Sequence, residues 1–200
     1  NGTLGHADYS SNNDVHMVSL TAYRIGETEV TQELWKNVMG NEPSYFNGNS
    51  GKEAAEGEVQ GKRPVENVNW YHAIAFCNKL SLKLGLTPCY TVEVSGSPID
   101  FDTLAYSAIP TSNNTDWDNT VLDMSKNGFR LPTEAEWEWA AKGGTEDRWA
   151  GTDEEDKLGE YAWDKKNSED KSHEVKKKLP NGYGLYDMSG NVWEWCWDGC

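Results

Sequence analysis

The chain has 200 residues, a formal net charge of −15 and 36% hydrophobic residues. No apolar run approaches the ~18 residues of a membrane span, and the acidic balance opposes binding to a phosphate backbone, so neither a transmembrane segment nor a nucleic-acid partner is predicted. Ten tryptophans, nine tyrosines and four phenylalanines supply more burial area than disordered chains carry, which predicts a folded domain.

Short elements separated by polar loops are predicted in the first half of the chain. The apolar–polar alternation of residues 17–23, followed by the extended pattern of residues 25–30, predicts a hairpin or a pair of strands. A short helix is predicted between an N-cap at Thr31 and a stop at Gly40, with an apolar stripe of Leu34, Trp35, Val38 and Met39. A second helix with one apolar face is predicted over residues 71–84.

The second half contains the strongest local helix signal. After a strand at residues 90–94, Ser, Asn, Asp, Gly and Pro predict an irregular stretch up to residue 126. Thr133 and Glu136 then form a capping box that begins a third helix, which Gly143 ends. The alternating Glu134, Glu136 and Glu138 are predicted to fan out into solvent. The charge-rich residues 145–180 are predicted to lie at the surface.

The most promising chemistry lies near the end of the chain. Asp187 and Glu194 are two carboxylates on either side of a tight turn at residues 189–190, and carbonyl groups between them can point inward. Such an oxygen-rich arrangement suits a hard cation, and calcium is the natural candidate. The alternative is that both carboxylates cap turns or pair with a basic side chain.

Four motifs resemble the formylglycine-generating enzyme, or sulfatase-modifying factor, family. The two long ones are GFRLPTEAEWEWA at residues 128–140 and NGYGLYDMSGNVWEW at residues 181–195, and GETEVT at residues 26–31 and PVENVNW at residues 64–70 support them. The resemblance covers about residues 17–200 and implies an α+β, C-type-lectin-like fold with short helices, small antiparallel sheets and much irregular structure. It implies a sulfatase-modifying-factor-like domain at residues 17–200 that lacks its C-terminal part. The preceding segment at residues 1–16 is predicted to be flexible.

The resemblance also implies a calcium site. The family's ligands in the second long motif correspond here to the side chains of Asp187 and Glu194 and to the carbonyl groups of Gly190 and Val192. A further calcium site of the family corresponds to residues 161–164. It is not carried over, because Trp163 stands there in place of an oxygen ligand.

The cysteines do not extend the resemblance to catalysis. The family's enzymes bind copper and activate oxygen with a cysteine pair in a later segment, after an Arg-Gly-Gly-Ser motif that this sequence does not contain. Copper is therefore expected only if a downstream segment supplies such a pair. The chain's own Cys77, Cys89, Cys196 and Cys200 allow three disulfide pairings, among which the sequence does not choose. Cys77 is predicted to be buried, and Cys196 and Cys200 to be structural or disulfide-bonded.

Two functions are therefore predicted as alternatives. The chain is part of a divergent bacterial enzyme that oxidises a protein cysteine to formylglycine, or it is a non-catalytic module that binds or displays a protein, peptide or glycan ligand. The first residue, Asn1, is consistent with removal of a signal peptide and thus with export to the periplasm or cell surface.

Single residues add little to either function. His6, His16, His72 and His173 show no metal-ligand spacing and are predicted to lie on the surface or in loops. Trp193 and Trp195 are predicted to pack in the core, and Trp197 to reach a ligand surface.

Overall fold

Five α-helices and three two-stranded antiparallel sheets form the regular structure of residues 2–4 and 15–198, which the computed structural model describes. The helices are α1 (Gln32–Met39), α2 (Trp70–Lys83), α3 (Thr115–Asp118), α4 (Glu134–Lys142) and α5 (Leu158–Tyr161). The sheets pair β1 (Gly2–Leu4) with β2 (His16–Val18), β3 (Tyr90–Thr91) with β6 (Val121–Leu122), and β4 (Glu93–Val94) with β5 (Ser97–Pro98). Short 3₁₀ turns lie at Gln60–Lys62, Tyr106–Ala108 and Glu155–Lys157. The predicted α+β class is confirmed.

The predicted hairpin over residues 17–30 is wrong. The strand β2 pairs instead with β1, so that Gly2 lies opposite Val18. The chain at residues 25–30 bonds to loops rather than to a strand, because the carbonyl of Glu27 accepts from the N–H of Tyr186 and that of Val30 accepts from the N–H of Val65. Most of the predicted flexible segment 1–16 lies outside the described residues, and its flexibility stays a prediction.

The larger core surrounds α2. This helix begins with a capping box, in which Asn69 accepts from the N–H of His72 and the His72 ring accepts from the N–H of Asn69. Every residue of this helix from 71 to 78 is buried. The prediction of a single apolar face was therefore too narrow, because the helix lies at the centre of the core. Trp35 of α1 stacks on Phe76 with ring centroids 5.0 Å apart. The predicted caps of α1 at Thr31 and Gly40 are confirmed.

The prediction for Glu136 was half right. It completes the capping box of α4 with Thr133, as expected. It does not point into solvent, because its carboxylate is buried against Arg130 in a bidentate pair with N–O distances of 2.6 and 2.7 Å. Burial raises the pKa of Glu136, but the hydrogen bonds from Arg130 and Thr133 outweigh it, and the pKa lies below its ordinary value.

A smaller core on the other side of α4 supports the turn described next. Its buried members are Ala140, Ala150, Leu185 and Met188. No helix in the described part of the chain combines the length and the apolar character needed to cross a membrane.

Candidate metal centre

Asn181 fixes the start of the long C-terminal motif against α4. Its side-chain amide donates to the carbonyls of Ala140 and Ala141, 2.8 and 3.0 Å away, and its Oδ1 accepts from the N–H of Leu185 at 3.1 Å. The last carbonyl groups of a helix have no partner within the helix, so this side chain satisfies two of them. The segment that begins at Asn181 therefore starts from a fixed position against the C-terminal end of α4.

The residues that follow, 187–194, are called the carboxylate turn. Asp187 is only 2% exposed and has a left-handed backbone, with a φ of 61°. Its Oδ2 accepts from the N–H of Lys176 at 3.0 Å, whereas its buried Oδ1 has no hydrogen-bond partner. A buried carboxylate oxygen without a partner is costly, so this atom is the best single indication of a place where a cation could bind.

Contact with the backbone at Trp163 shapes the middle of the turn. A Cβ atom at Gly190 would lie 2.2 Å from the Trp163 carbonyl oxygen, so only glycine fits there. The same oxygen accepts from the N–H of Asn191 at 2.9 Å. Since the peptide group is planar, this bond also sets the direction of the Gly190 carbonyl. Among the described residues, none donates a hydrogen bond to the carbonyl of Gly190 or Val192.

Glu29, which the sequence did not single out as a site residue, holds the turn from the opposite end of the chain. Its Oε1 accepts from the N–H of Val192 at 3.2 Å, and its Oε2 accepts from the side-chain amide of Asn191 at 3.0 Å. Glu29 lies in the short motif at residues 26–31, which was the only signal available. Its partner Val192 is 163 residues further along the chain, beyond the reach of local patterns.

Burial raises the pKa of all three carboxyl groups, and repulsion by neighbouring carboxylates adds to it for Glu29 and Glu194. Burial has the largest effect on Glu29, and the charges of Glu194 and Asp187 add to it, so that its pKa lies well above the ordinary value. Burial also raises the pKa of Asp187 against the hydrogen bond from Lys176. For Glu194, crowding by protein atoms raises the pKa to about 7, although a hydrogen bond from Trp137 lowers it. The Glu194 residue keeps solvent-exposed surface, and water therefore reduces this shift.

The arrangement brings together three carboxyl groups, and the nearby Lys178 and His173 lower the pKa of Asp187 without outweighing its burial. No salt bridge from a described residue reaches Glu29, Asp187 or Glu194, which argues against the alternative that Asp187 and Glu194 pair with a basic side chain. Within residues 2–4 and 15–198, no three His, Cys, Asp or Glu side chains converge on one point at metal-binding distance. A cation here would therefore complete its shell with backbone carbonyls and water, which calcium accepts readily.

The tryptophan predictions beside the turn were largely wrong. Trp193 is fully exposed rather than packed in the core. Trp197 does not reach outward but stacks between Trp70 and Tyr90, with centroids 5.2 and 5.1 Å away. Trp195 is half-buried and donates to the carbonyl of Val68. Strand-like alternation does not apply, because this segment is irregular.

His173 lies in a loop, one of the two predicted alternatives, but it is buried rather than exposed. Its ring stacks on Trp163 at 3.7 Å, and its two ring nitrogens lie 2.9 Å from a carboxylate oxygen of Glu58 and from the carbonyl of Ser168. Parts of the charge-rich stretch 145–180 thus belong to the interior. His72, the N-terminal cap partner of α2, is buried as well.

Cys77 and Cys89 do not resemble activated thiols. Cys77 is buried as predicted, and its desolvation raises its pKa to about 12. Cys89 is also buried, donates to the carbonyl of Gly128 at 3.3 Å, and has a raised pKa for the same reason. Thiols with raised pKa values are poor metal ligands and nucleophiles, because both roles require the thiolate. Cys200 lies outside the described residues.

The four sequence motifs and the fold together indicate the family of the chain. Residues 2–200 match the family of the sulfatase-modifying factor enzyme 1-like domain, so the chain belongs to this family. Its fold is the C-type-lectin-like α+β fold of sulfatase-modifying factors, as the resemblance implied.

Particular relatives differ in how much of the chain they match. The solved structure of Treponema denticola variable protein 1 is 68% identical with a TM-score of 0.94, over 98% of this chain and 69% of that one. Chaperone protein LppX of Paenibacillus barcinonensis is 36% identical over 96% of this chain and 66% of its own length. The formylglycine-generating enzyme of Thermomonospora curvata is 37% identical over 41% of this chain and 31% of the enzyme. The chain thus spans about two thirds, or less, of these relatives.

Proposed function

We propose that this chain is the scaffold of a non-catalytic module that binds or displays a protein, peptide or glycan ligand. The observation that carries the proposal is the similarity to Treponema denticola variable protein 1, which extends over nearly the whole chain at 68% identity. A relative named as a chaperone also matches almost the full chain, whereas the formylglycine-generating enzyme of Thermomonospora curvata matches less than half of it. The protonated, buried Cys77 and Cys89 add chemical support.

An assay for the family's oxidase activity tests the proposal. The purified chain is incubated with copper and a peptide containing Cys-x-Pro-x-Arg, and mass spectrometry monitors conversion of the peptide cysteine to an aldehyde. We expect no product from this chain or from a form that includes any downstream segment of its gene, while an authentic formylglycine-generating enzyme converts the peptide under the same conditions. Activity in the longer form alone would make this chain part of an oxidase and overturn the proposal. Product that disappears in a Cys196→Ser variant would make this chain an oxidase with a relocated thiol site. Export to the periplasm or cell surface stays a prediction.

The proposal includes calcium at the carboxylate turn. The partnerless Oδ1 of Asp187 and the carboxylate of Glu194 are hard oxygen donors, and the carbonyls of Gly190 and Val192 accept no hydrogen bond from a described residue. These residues fit calcium, which takes six to eight oxygen ligands in flexible geometry. Bound there, the ion would supply the positive charge that the buried carboxylates lack and would join both ends of the turn.

Calcium is expected to raise the thermal midpoint of the domain. At a free concentration 100 times the dissociation constant, one site adds about 2.7 kcal/mol to the free energy of unfolding. Differential scanning calorimetry with calcium and with a chelator measures the difference. Glu194→Gln is the matched variant, because its amide oxygen can still accept from Trp137 while the ligand charge is lost, and its calcium increment should be much smaller. If the unmodified chain has the same thermal midpoint with calcium and with the chelator, the calcium proposal is wrong.

A further inference from the structure

The two hydrogen bonds between Glu29 and the carboxylate turn act on adjacent residues. One carboxylate oxygen holds the backbone N–H of Val192, and the other holds the side chain of Asn191. The peptide group between these residues lies between the carbonyls of Gly190 and Val192. Because this peptide is planar, holding it fixes the Asn191 carbonyl and the Cα atoms on both sides of it, from which the flanking Gly190 and Val192 carbonyl groups extend. The bond from the Asn191 N–H to the Trp163 carbonyl then restrains the Gly190 carbonyl from its other side.

The turn needs such support because its backbone is strained. Asp187 and Asn191 have φ values of 61° and 65°, in the left-handed region that costs roughly 1 kcal/mol or more for a residue with a side chain. Asn191 is held there by further bonds, since its Oδ1 accepts from the N–H of His173 at 2.9 Å and its amide also donates to the His173 carbonyl at 3.1 Å. Glu29 is the only charged side chain among the described residues that hydrogen-bonds to residues 190–192.

Glu29 is itself buried beside the turn. It is 8% exposed, and it makes no salt bridge with a described residue. Both of its carboxylate oxygens accept hydrogen bonds from the turn, so its side chain is fixed in place against residues 191 and 192.

Resting on the calcium site proposed above, we propose that Glu29 is a positioning residue of that site: it orients the Gly190 and Val192 carbonyls through its hydrogen bonds to Val192 and Asn191. It is not a ligand in this proposal, because both of its oxygens already accept hydrogen bonds from the turn. Calcium binding at residues 187–194 then depends on a segment at the other end of the chain.

The affinity for the metal, rather than stability alone, tests this role. Terbium replaces calcium as a luminescent probe, excited through Trp137, whose indole nitrogen lies 3.1 Å from the Glu194 carboxylate. Competition with calcium then gives the calcium dissociation constant. Removal of a residue that orients metal ligands typically weakens binding 10- to 100-fold, and we expect this loss for Glu29→Gln. The matched control is Glu27→Gln, which removes an exposed ion pair with Lys176 and should leave the constant within about twofold.

The possible outcomes distinguish the positioning role of Glu29 from the calcium site itself. If the unmodified chain and the Glu29→Gln variant bind calcium equally well, Glu29 has only a structural role and the inference is wrong. A fall in the thermal midpoint of the variant that is equal with calcium and with chelator would not change this conclusion. If the unmodified chain binds neither ion, the calcium proposal itself fails and takes this inference with it. Should Glu29→Gln not fold, Glu29→Asp keeps the charge but is one methylene too short, and an unchanged affinity in that variant overturns the positioning role.

Discussion

Replacing Asn191 by Asp is expected to destabilise the domain by about 3 kcal/mol or more. The side-chain amide of Asn191 donates to the Glu29 carboxylate and to the His173 carbonyl, at 3.0 and 3.1 Å. In the Asp variant, a carboxylate oxygen would replace the amide nitrogen and face the oxygens of the Glu29 carboxylate and the His173 carbonyl. Both contacts would become repulsive, and the first would bring two carboxylates together. Urea denaturation of the variant measures the loss of unfolding free energy.

Two further variants complete this test. Asn191→Ala removes the hydrogen bonds without adding a charge, and it should cost less than Asn191→Asp. The exposed Asn49→Asp makes the same chemical change on the surface, where the effect should stay within about 0.5 kcal/mol. A loss below about 1 kcal/mol for Asn191→Asp would mean that the turn rearranges without cost and that the hydrogen-bond network does not hold it.

Glu136→Ala is expected to cost about 3 to 5 kcal/mol, because it leaves Arg130 without its partner in a largely buried position. The variant also removes the bond from Glu136 to the N–H of Thr133. Thr133→Ala breaks only the other half of this capping box and should cost about 1 kcal/mol. The exposed Glu134→Ala, in the same turn of α4, should cost less than about 1 kcal/mol. Denaturant unfolding of the three variants gives the comparison.

The pH dependence of stability checks the same pair. The folded-state pKa of Glu136 lies below its ordinary value of 4.5, so the pair stabilises the fold fully above that pH. Its contribution is lost as the pH falls through the lower, folded-state pKa. The Glu136→Ala variant should therefore lose less stability than the unmodified chain between about pH 5 and pH 3. Parallel curves for both proteins would argue that the ion pair contributes nothing.

Helix ends were the part of the fold that the sequence predicted best. Thr31, Gly40, Thr133 and Gly143 act on backbone groups within four residues of themselves, so their effect is visible in a short window. The family resemblance supplied the overall architecture, because its four motifs are spread along most of the chain. The membership of residues 2–200 in that family bears it out.

The burial of polar side chains could not be predicted in this way. Glu136 looked like a solvent-facing residue of an amphipathic helix, and only Arg130, six residues earlier and in a loop, explains why it is buried. His173 is enclosed by Trp163 and by Glu58, 115 residues away. Glu29 likewise meets its partners only in the folded chain. The sequence identified the candidate ligands Asp187 and Glu194 through local spacing, but not the side chain that supports them.

The bonds that link distant parts of this chain have a consequence for how it folds. Its sheets are only two strands wide, so side-chain bonds such as Glu29 to Val192 and Trp195 to Val68 join segments more than 100 residues apart. Folding rates fall as contacting residues lie further apart in sequence, because long loops must close before such contacts stabilise them. Folding should therefore be slow, on the order of milliseconds to seconds. During synthesis the carboxylate turn can assemble only after its own residues have left the ribosome, and Glu29, synthesised 163 residues before Val192, waits without its partners until then.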